Sequence, residues 1–267
     1  MRRRKDKKMK VKDVMTKDVI SVDKDVNLNH VLNLMKKHEI TKIPVFENKK
    51  LIGMITDNTI AYKLGSKRKR GITTARLHAS SVTEKDIESV SPDDDIKTIL
   101  RKVGEPGPTM LNVVENGKLL GVITKANLLP LVTSNRKLRE IMQKKMHTIA
   151  PDARVIHARR MMIDQNVARL PVVGQGKLVG IISDTEIAFA LANIKRSFSL
   201  GKQKHHLDEL LVKDVMKIPV VWAPPNMTAS DAAKIMIKNN IGALPIIENN
   251  SIIGIVTRTD LIKTVPI

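Results

Sequence analysis

Four times in this sequence, a glycine is followed three residues later by a hydroxyl side chain and, three residues further on, by a second polar side chain. The four polar pairs are Thr56 and Thr59, Thr124 and Asn127, Ser183 and Glu186, and Thr257 and Asp260. A hydroxyl and a carboxylate at this spacing can form a capping box, which satisfies free amides at a helix start. The same arrangement suits a ligand, because a helix N-terminus attracts phosphate and a carboxylate accepts hydrogen bonds from both hydroxyls of a diol. The sequence leaves both interpretations open.

The four copies of this motif are not chemically equal. Asp260 follows its threonine in the intact form, and Glu186 offers a carboxylate on a side chain one methylene longer. Asn127 can accept a hydrogen bond but carries no charge, and Thr59 cannot chelate a diol. We therefore expect ligand binding to differ between the copies and to be most complete at Asp260.

Two of the four copies also have a basic residue upstream of the motif. Lys42 and Arg169 stand two residues before a proline in the first and third copies, whereas Met110 and Ala243 take the corresponding positions in the second and fourth. A guanidinium offers phosphate a bidentate fork and an ammonium offers a point charge. The alternative is an ordinary surface base at a strand start. Because Ala243 supplies no base, a phosphate beside Asp260 would need one from another copy.

These side chains belong to an internal repeat that runs through most of the chain. Adding 74 to the residue numbers of the third copy gives the fourth, and subtracting 127 gives the first, without gaps. The second copy lies 59 residues below the third and has Thr83 and Asn112 where the other copies have methionine and proline. The second copy is therefore the divergent one.

Each copy predicts the order strand, helix, strand, strand, helix. In the first copy we expect a strand at residues 19–22, a helix with apolar positions from Leu28 to Met35, strands at 42–46 and 51–56, and a second helix from Asp57. A unit of this size buries little core, so we expect pairs of units to share one.

The repeats resemble the CBS domain family, named after cystathionine beta-synthase. The resemblance rests on Val-Lys-Asp-Val-Met at 11–15 and 212–216, on the proline-containing triplets at 43–45, 170–172 and 244–246, and on the four endings that start at glycine. It implies an α+β fold of four CBS repeats, arranged as two pseudo-symmetric pairs in a flat disc. Family members with four repeats, such as the gamma subunit of AMP-activated protein kinase, form such a disc.

The resemblance also implies a binding role for particular side chains. In that family the acid of the motif holds ribose, the Thr or Ser lies near phosphate, and adenine enters a cleft lined by the strand before the first helix. Trp222 on that strand could stack on a base, although a lone Trp more often serves packing. The implied nucleotide-binding residues are Lys42, Thr56, Thr124, Asn127, Thr148, Ala150, Arg169, Ser183, Glu186, Trp222, Pro224, Thr257 and Asp260.

The net charge of +20 is concentrated outside the predicted repeats. We expect a basic tail at residues 1–10, repeats at 11–64, 77–133, 134–194 and 207–267, and basic linkers at 65–76 and 195–206. Such runs are commonly solvated, but they also suit contact with nucleic acid, an acidic membrane face or an acidic partner. The bases that would contact a polyanion are Lys67, Arg68, Lys69, Arg70, Lys195, Arg196, Lys202 and Lys204.

Composition excludes several classes of protein. The chain has no cysteine, so disulfides and thiol chemistry are absent, and an aromatic content of 2% argues against a reader of single-stranded nucleic acid. No apolar run reaches transmembrane length and the basic start does not resemble a signal peptide, which favours the cytoplasm. No nucleophile–base pair is visible, and the histidines lack metal-ligand spacing.

We therefore predict a regulatory sensor without catalytic activity or catalytic cofactor. The expected ligand is AMP, ADP or ATP, with S-adenosylmethionine as the alternative, and ligand binding would alter the affinity for an unidentified regulated protein. The chain would be a monomer or a disc-stacked homodimer. A nucleic-acid-binding protein that uses the basic linkers is the alternative function, and a scaffold with vestigial sites is a third.

Overall fold

The fold consists of four similar units of mixed helix and strand. The computed structural model describes residues 8–65, 74–104, 110–197 and 200–266. The first half contains α1 (Val11–Val14), β1 (Val22–Asp23), α2 (Leu28–Lys37), β2 (Lys42–Glu47), β3 (Lys50–Thr56), α3 (Asp57–Leu64), β4 (Ser89–Val90), α4 (Ile96–Gly104), β5 (Met110–Glu115), β6 (Lys118–Thr124) and α5 (Lys125–Leu128). The second half contains α6 (Leu138–Ile141), α7 (Val155–Asp164), β7 (Arg169–Gly174), β8 (Lys177–Ser183), α8 (Asp184–Ser197), α9 (Leu200–Glu209), α10 (Ala229–Lys238), β9 (Ala243–Glu248), β10 (Ser251–Thr257) and α11 (Arg258–Ile262).

Each unit is built on one antiparallel hairpin. In the first unit, β2 and β3 pair from Lys42 opposite Thr56 to Glu47 opposite Lys50, and β1 runs parallel to β2. The turn between β2 and β3 places Asn48 and Lys49 at positive φ, as a two-residue turn in a twisted hairpin requires. The predicted strands at 42–46 and 51–56 agree with this hairpin, but β1 lies at Val22–Asp23 rather than at residues 19–22.

The first helix of each unit follows the apolar spacing read from the sequence. In α2 the buried residues are Leu28, Val31, Leu32 and Met35, so the periodicity of the sequence matches the buried face. The helix starts after Asn27, whose side chain accepts a hydrogen bond from the His30 amide at 2.9 Å.

Units one and two, and units three and four, exchange short entry helices. We use this name for α1, α6 and the single turns Ala79–Ser81 and Val212–Asp214. Val11 of α1 packs in the core of unit two, and Leu138 of α6 packs in the core of unit four. Conversely, Ala79 and Val212 pack with units one and three. Each pair of units therefore shares its core, as expected for units this small.

After each entry helix, two residues cross the hairpin of the partner unit at the glycine of that hairpin. We call these entry segments; they are Met15-Thr16, Thr83-Glu84, Met142-Gln143 and Met216-Lys217. A methyl group added to Gly254 would lie 2.7 Å from Met142 Sδ, and one added to Gly121 would lie 2.6 Å from the Thr16 carbonyl oxygen. The glycine of the fourfold pattern is required by this close approach, because any side chain there would displace the partner.

Helices close the two pairs into a ring. Helices α3 and α8 join unit one to unit three, and α5 and α11 join unit two to unit four. The largest hydrophobic cluster spans units one and three, with Ile60 and Leu64 of α3 and Ile187 and Leu191 of α8 among its buried residues. This ring of two pairs agrees with the arrangement that the resemblance implies.

The predicted linker at residues 195–206 lies in two helices over the part that the structure describes. Helix α8 continues through Ser197, and α9 covers Leu200–Glu209. The basic composition concealed an apolar periodicity, in which Leu191 and Ile194 are buried and Lys195 falls on the same helix face. Lys195 therefore belongs to the packed part of the molecule, whereas its neighbour Arg196 is exposed.

Replacing Gly254 by alanine should destabilise the fold by about 1–3 kcal/mol, because the new methyl group would overlap Met142 and Gln143 in a packed contact. The matched control is Gly174→Ala, where the nearest atoms are 3.4–3.6 Å away and have room for a methyl group. Urea denaturation of both variants and the parent checks this expectation. Equal midpoints for Gly254→Ala and Gly174→Ala would contradict it.

Candidate functional site

All four polar pairs lie at helix starts and cap them. In the fourth unit, Asp260 Oδ2 accepts hydrogen bonds from the Thr257 amide at 2.7 Å and from its hydroxyl at 2.6 Å. The Ser183 amide donates to Glu186 Oε2 and the Thr124 amide to Asn127 Oδ1, both at 2.9 Å. The Thr56 amide donates to Thr59 Oγ1 at 2.9 Å. The capping interpretation thus holds in every unit, and a ligand would be held by groups that also cap a helix.

Each helix start faces the entry segment of the paired unit across a cleft. Gln143 Nε2 donates to both carboxylate oxygens of Asp260, at 3.0 and 3.1 Å. In the second unit, Asn127 Nδ2 donates to Thr16 Oγ1 at 3.0 Å. Both contacts lie near the surface, so a competing hydroxyl group could replace them.

The predicted adenine-wall residues lie on the strand-like segments that follow the entry segments. Burial alternates along them: Ile149 is buried between exposed Thr148 and Ala150. In the fourth unit, Ala223 is fully buried, while Trp222 is 49% exposed and Pro224 is half-buried. The predicted side chains therefore face away from the core, which leaves them available to a ligand.

The two predicted phosphate-contacting bases lie directly beside helix starts. Lys42 is paired across the hairpin with Thr56, and Arg169 is paired with Ser183. Burial lowers the pKa of both Lys42 and Arg169. The charge of Asp57 opposes this effect at both bases, as do Glu186 and Asp184 at Arg169, whereas Arg258 and then Arg169 lower the pKa of Lys42 further. These bases therefore stand in a partly desolvated space that an anion would stabilise.

Two further bases, which the sequence analysis missed, lie in the same space. Lys125 and Arg258 are the first residues of α5 and α11. Burial, and then the charge of Lys42, lowers the pKa of Lys125. Burial, and then the charge of Arg169, lowers the pKa of Arg258 to about 10. Lys125 Nζ also donates to Thr259 Oγ1 at 2.7 Å, so a base of unit two reaches the helix start of unit four.

Each unit thus contributes one base to the centre of the ring, although from two different positions. Units one and three use the strand start, with Lys42 and Arg169, and have an aspartate as the first helix residue. Units two and four have apolar strand starts and place Lys125 and Arg258 at the first helix position. The absence of a base at Ala243 is therefore compensated within the same unit by Arg258.

The aspartates at the first helix position of units one and three form cross-unit hydrogen bonds. Thr185 Oγ1 donates to Asp57 Oδ2 at 2.5 Å, and Asn58 Nδ2 donates to Asp184 Oδ2 at 3.0 Å. The pKa of Asp184 is raised to about 6, chiefly by burial and also by the charge of Asp57, while the Asn58 hydrogen bond, Arg169 and Arg159 act in the opposite direction.

The bases predicted to contact a polyanion have different outcomes. Lys195 is fully buried, because it lies on the packed face of α8, so its assignment to a solvated site is wrong. Arg196 is exposed. Lys67, Arg68, Lys69 and Arg70 lie outside the described residues, as do the side chains of Lys202 and Lys204. Nucleic-acid binding stays a prediction.

Two other kinds of feature are missing from the part of the chain that the structure describes. Within residues 8–65, 74–104, 110–197 and 200–266, no group of three or more His, Asp or Glu side chains is placed to hold a metal ion. In the same ranges no helix is long and apolar enough to span a bilayer.

Comparison with known sequences identifies the repeats. The sequence matches the CBS domain at residues 11–66, 79–133, 138–193 and 212–266. The chain belongs to the CBS domain family. The four CBS repeats correspond to the four units of the ring, and each matched segment begins at or before its entry helix.

Relatives align with nearly the whole length of this chain. Protein MJ1404 of Methanocaldococcus jannaschii is 27% identical over 95% of this chain, which spans 61% of that protein, less than two thirds of its length. Protein MJ1225 of the same organism is 25% identical over 95% of this chain and 97% of its own. The crystal structure of MJ1225 superposes with a TM-score of 0.83 at 23% identity, covering 96% of this chain and 99% of that one. A structure from Pyrococcus horikoshii superposes with a TM-score of 0.62 at 21% identity, covering 97% and 100%.

Asp184 should make stability fall as pH rises from about 4 to about 6. Its pKa in the folded chain is about 6, above the value of about 3.9 in an unfolded chain, so the folded state holds a proton that the unfolded state has lost. Asp184→Asn stays uncharged and should be about 2–3 kcal/mol more stable than the parent at pH 7, with little difference below pH 4.

Urea denaturation at pH 4, 5, 6 and 7 measures this effect. The comparison variant is Asp231→Asn, because hydrogen bonds from Thr228 and Lys234 lower the pKa of Asp231 and its removal should act in the opposite direction at neutral pH. A parent and an Asp184→Asn variant with parallel pH profiles would contradict the assignment.

Proposed function

We propose that this CBS protein is a non-catalytic regulatory module that binds adenosine nucleotides, AMP, ADP or ATP, in the clefts between paired repeats. The observation that carries the proposal is the meeting of four bases, one from each repeat, beside helix starts whose polar groups are the ones that the family resemblance assigns to ribose. A nucleotide bound in such a cleft would place its ribose on the acid of one helix start and its phosphate toward the centre. Burial, and for Lys42 and Arg258 also the charges of neighbouring bases, lowers the pKa values at the centre, and a phosphate there would stabilise the charged forms.

The charge of the centre favours a nucleotide over S-adenosylmethionine. The sulfonium group of S-adenosylmethionine is positive and would meet Lys42, Lys125, Arg169 and Arg258 at the place where a nucleotide carries negative phosphate. Like charges in a partly desolvated space repel more strongly than in water. A phosphorylated ligand therefore suits the same clefts better.

The cleft of Asp260 is the most complete of the four. Thr148 and Ala150 would form its wall, as the family resemblance implies, Asp260 would supply its carboxylate, and Lys125 would supply a base from the second repeat. In the free protein Gln143 donates to the carboxylate, so a ribose diol must replace these two hydrogen bonds on binding. Glu186 offers a second acidic cleft beside Trp222 and Pro224.

A bound nucleotide would regulate the protein through the position of its phosphates. The four bases come from repeats that belong to two different pairs, so one anion at the centre would stabilise a particular arrangement of the pairs. A ligand shifts a conformational equilibrium by its difference in affinity for the two states, and a protein partner that contacts both pairs would sense that shift. MJ1225, which shares the four-repeat fold, is described as a candidate archaeal homologue of g-AMPK.

Asp260→Ala should weaken AMP binding more than Thr59→Ala. Loss of charge-assisted hydrogen bonds to a diol should cost about 1.5–3 kcal/mol, or roughly ten- to a hundred-fold in affinity at that cleft. Isothermal titration calorimetry measures the affinities and the number of sites. Both variants lose a helix cap, so Thr59→Ala is the matched control for capping, and an unchanged isotherm for Asp260→Ala would refute the assignment.

Arg169→Ala should weaken AMP, ADP and ATP binding while sparing adenosine, because the guanidinium is placed to contact phosphate and not the nucleoside. The measurement is the ratio of nucleotide to nucleoside affinity in variant and parent. Arg160→Ala serves as control, since the Arg160 side chain is 82% exposed on α7. Equal losses for adenosine and AMP would show that Arg169 acts through packing.

A further inference from the structure

The residue at the end of each entry segment faces the last polar residue of the partner's motif. Equivalent positions in the four repeats give four such pairs: Thr16 with Asn127, Glu84 with Thr59, Gln143 with Asp260, and Lys217 with Glu186. Two of these pairs are joined directly by side-chain hydrogen bonds, namely Thr16 with Asn127 and Gln143 with Asp260.

The backbone holds all four entry residues in the same position relative to the partner's hairpin. Gln143 forms a two-bond antiparallel bridge with Ile255, at 2.9 and 3.1 Å, and Glu84 forms the same bridge with Met54, at 2.9 and 2.8 Å. Ile255 and Met54 each follow the glycine of their repeat by one residue. The side chains of Gln143 and Glu84 therefore start from equivalent points and have the same length.

Gln143 shows how far such a side chain reaches. Its amide nitrogen lies 3.0 and 3.1 Å from the two carboxylate oxygens of Asp260, which is where a hydroxyl bound to that carboxylate would lie. A carboxylate at the end of the Glu84 side chain can therefore reach the corresponding place in front of Thr59.

The chemistry of the pairs is complementary. Where the motif ends in an acid, the entry residue is a donor: Gln143 opposite Asp260, and Lys217 opposite Glu186. Where the motif ends in Thr59, which has no carboxylate, the entry residue is itself an acid, Glu84. The acid and the neutral group have exchanged sides of the cleft.

We propose that Glu84, from the second repeat, supplies the ribose-binding carboxylate of the cleft at Thr59. This inference rests on the proposed function and adds a binding residue and a third acidic cleft to it. Glu84 is exposed, and within the described part of the chain its carboxylate forms no hydrogen bond or ion pair. Thr59 Oγ1 is occupied in the helix cap, where it accepts from the Thr56 amide and donates to the Thr56 carbonyl at 2.9 Å.

The rest of that cleft has the groups that a nucleotide requires. Lys42 lies opposite Thr56 on the hairpin of the same repeat and provides a base for phosphate. Ser89 and Ser91 of the second repeat lie 59 residues before Thr148 and Ala150 and are the equivalent residues for the wall of this cleft. Only the carboxylate differs in origin, because it comes from the entry segment of the second repeat and not from the motif of the first.

The test isolates this cleft in the full-length chain. In an Asp260→Ala, Glu186→Ala background, AMP should still bind at one site with its affinity at that site retained. Adding Glu84→Gln should lower this affinity about ten- to a hundred-fold. It should also abolish the preference for AMP over 2′,3′-dideoxy-AMP, a readout that a purely structural change would leave intact. Glu39→Gln removes the same charge from another exposed glutamate and is the charge-matched control.

Calorimetry separates failure of this inference from failure of the proposed function. If the parent binds AMP but the double variant does not, or if Glu84→Gln leaves its affinity and diol preference unchanged, the role of Glu84 is overturned and the proposed function stands. If the parent binds no adenosine nucleotide, both are overturned. Retained thermal stability of Glu84→Gln shows that any loss is local to the cleft.

Discussion

At four places in the ring, a segment of one repeat passes so close to the hairpin of its partner that a side chain on the hairpin glycine would overlap the crossing segment. A methyl group added to the glycine would lie 2.6 Å from the crossing segment at Gly121 and 2.7 Å from it at Gly254. Because the same segment also forms a two-bond bridge to the residue after each glycine, its position is fixed both sterically and by hydrogen bonds. The cleft walls, the helix starts and the facing polar residues all take their positions from this crossing.

The crossing also explains why functional groups from distant parts of the chain meet. Gln143 and Asp260 are separated by 117 residues, yet one donates to both oxygens of the other. The ring then brings the helix starts of both pairs toward one centre, where the bases are partly desolvated and repel one another. Packing of α3 on α8 and exchange of the entry helices hold these bases together, and the carboxylates of Asp57, Asp184 and Glu186 offset part of the cost by attracting them.

Much of this arrangement could be predicted from the sequence because it is local and periodic. The hairpin from Lys42 to Thr56, the helix through Leu28 and Met35, and the fourfold glycine follow from spacing alone. The burial of Lys195 was missed because counting charges ignores helix phase. Lys125 and Arg258 were missed because only strand starts were compared between repeats, although a base directly after the motif threonine was visible in the sequence. The contact between Gln143 and Asp260 depends on docking of two repeats, which no local pattern reports.

The alternation of bases between the two kinds of position has a consequence for comparing repeats of this kind. When the repeats are aligned, the strand start is basic in two repeats and the first helix residue is basic in the other two. Each aligned position is therefore basic in only half of the repeats. The space enclosed by the ring nevertheless receives one base from every repeat. The architecture keeps a positive charge from each repeat in this space, and either the strand start or the first helix residue can supply it. Degeneracy of this sort hides shared chemistry from methods that read one position at a time.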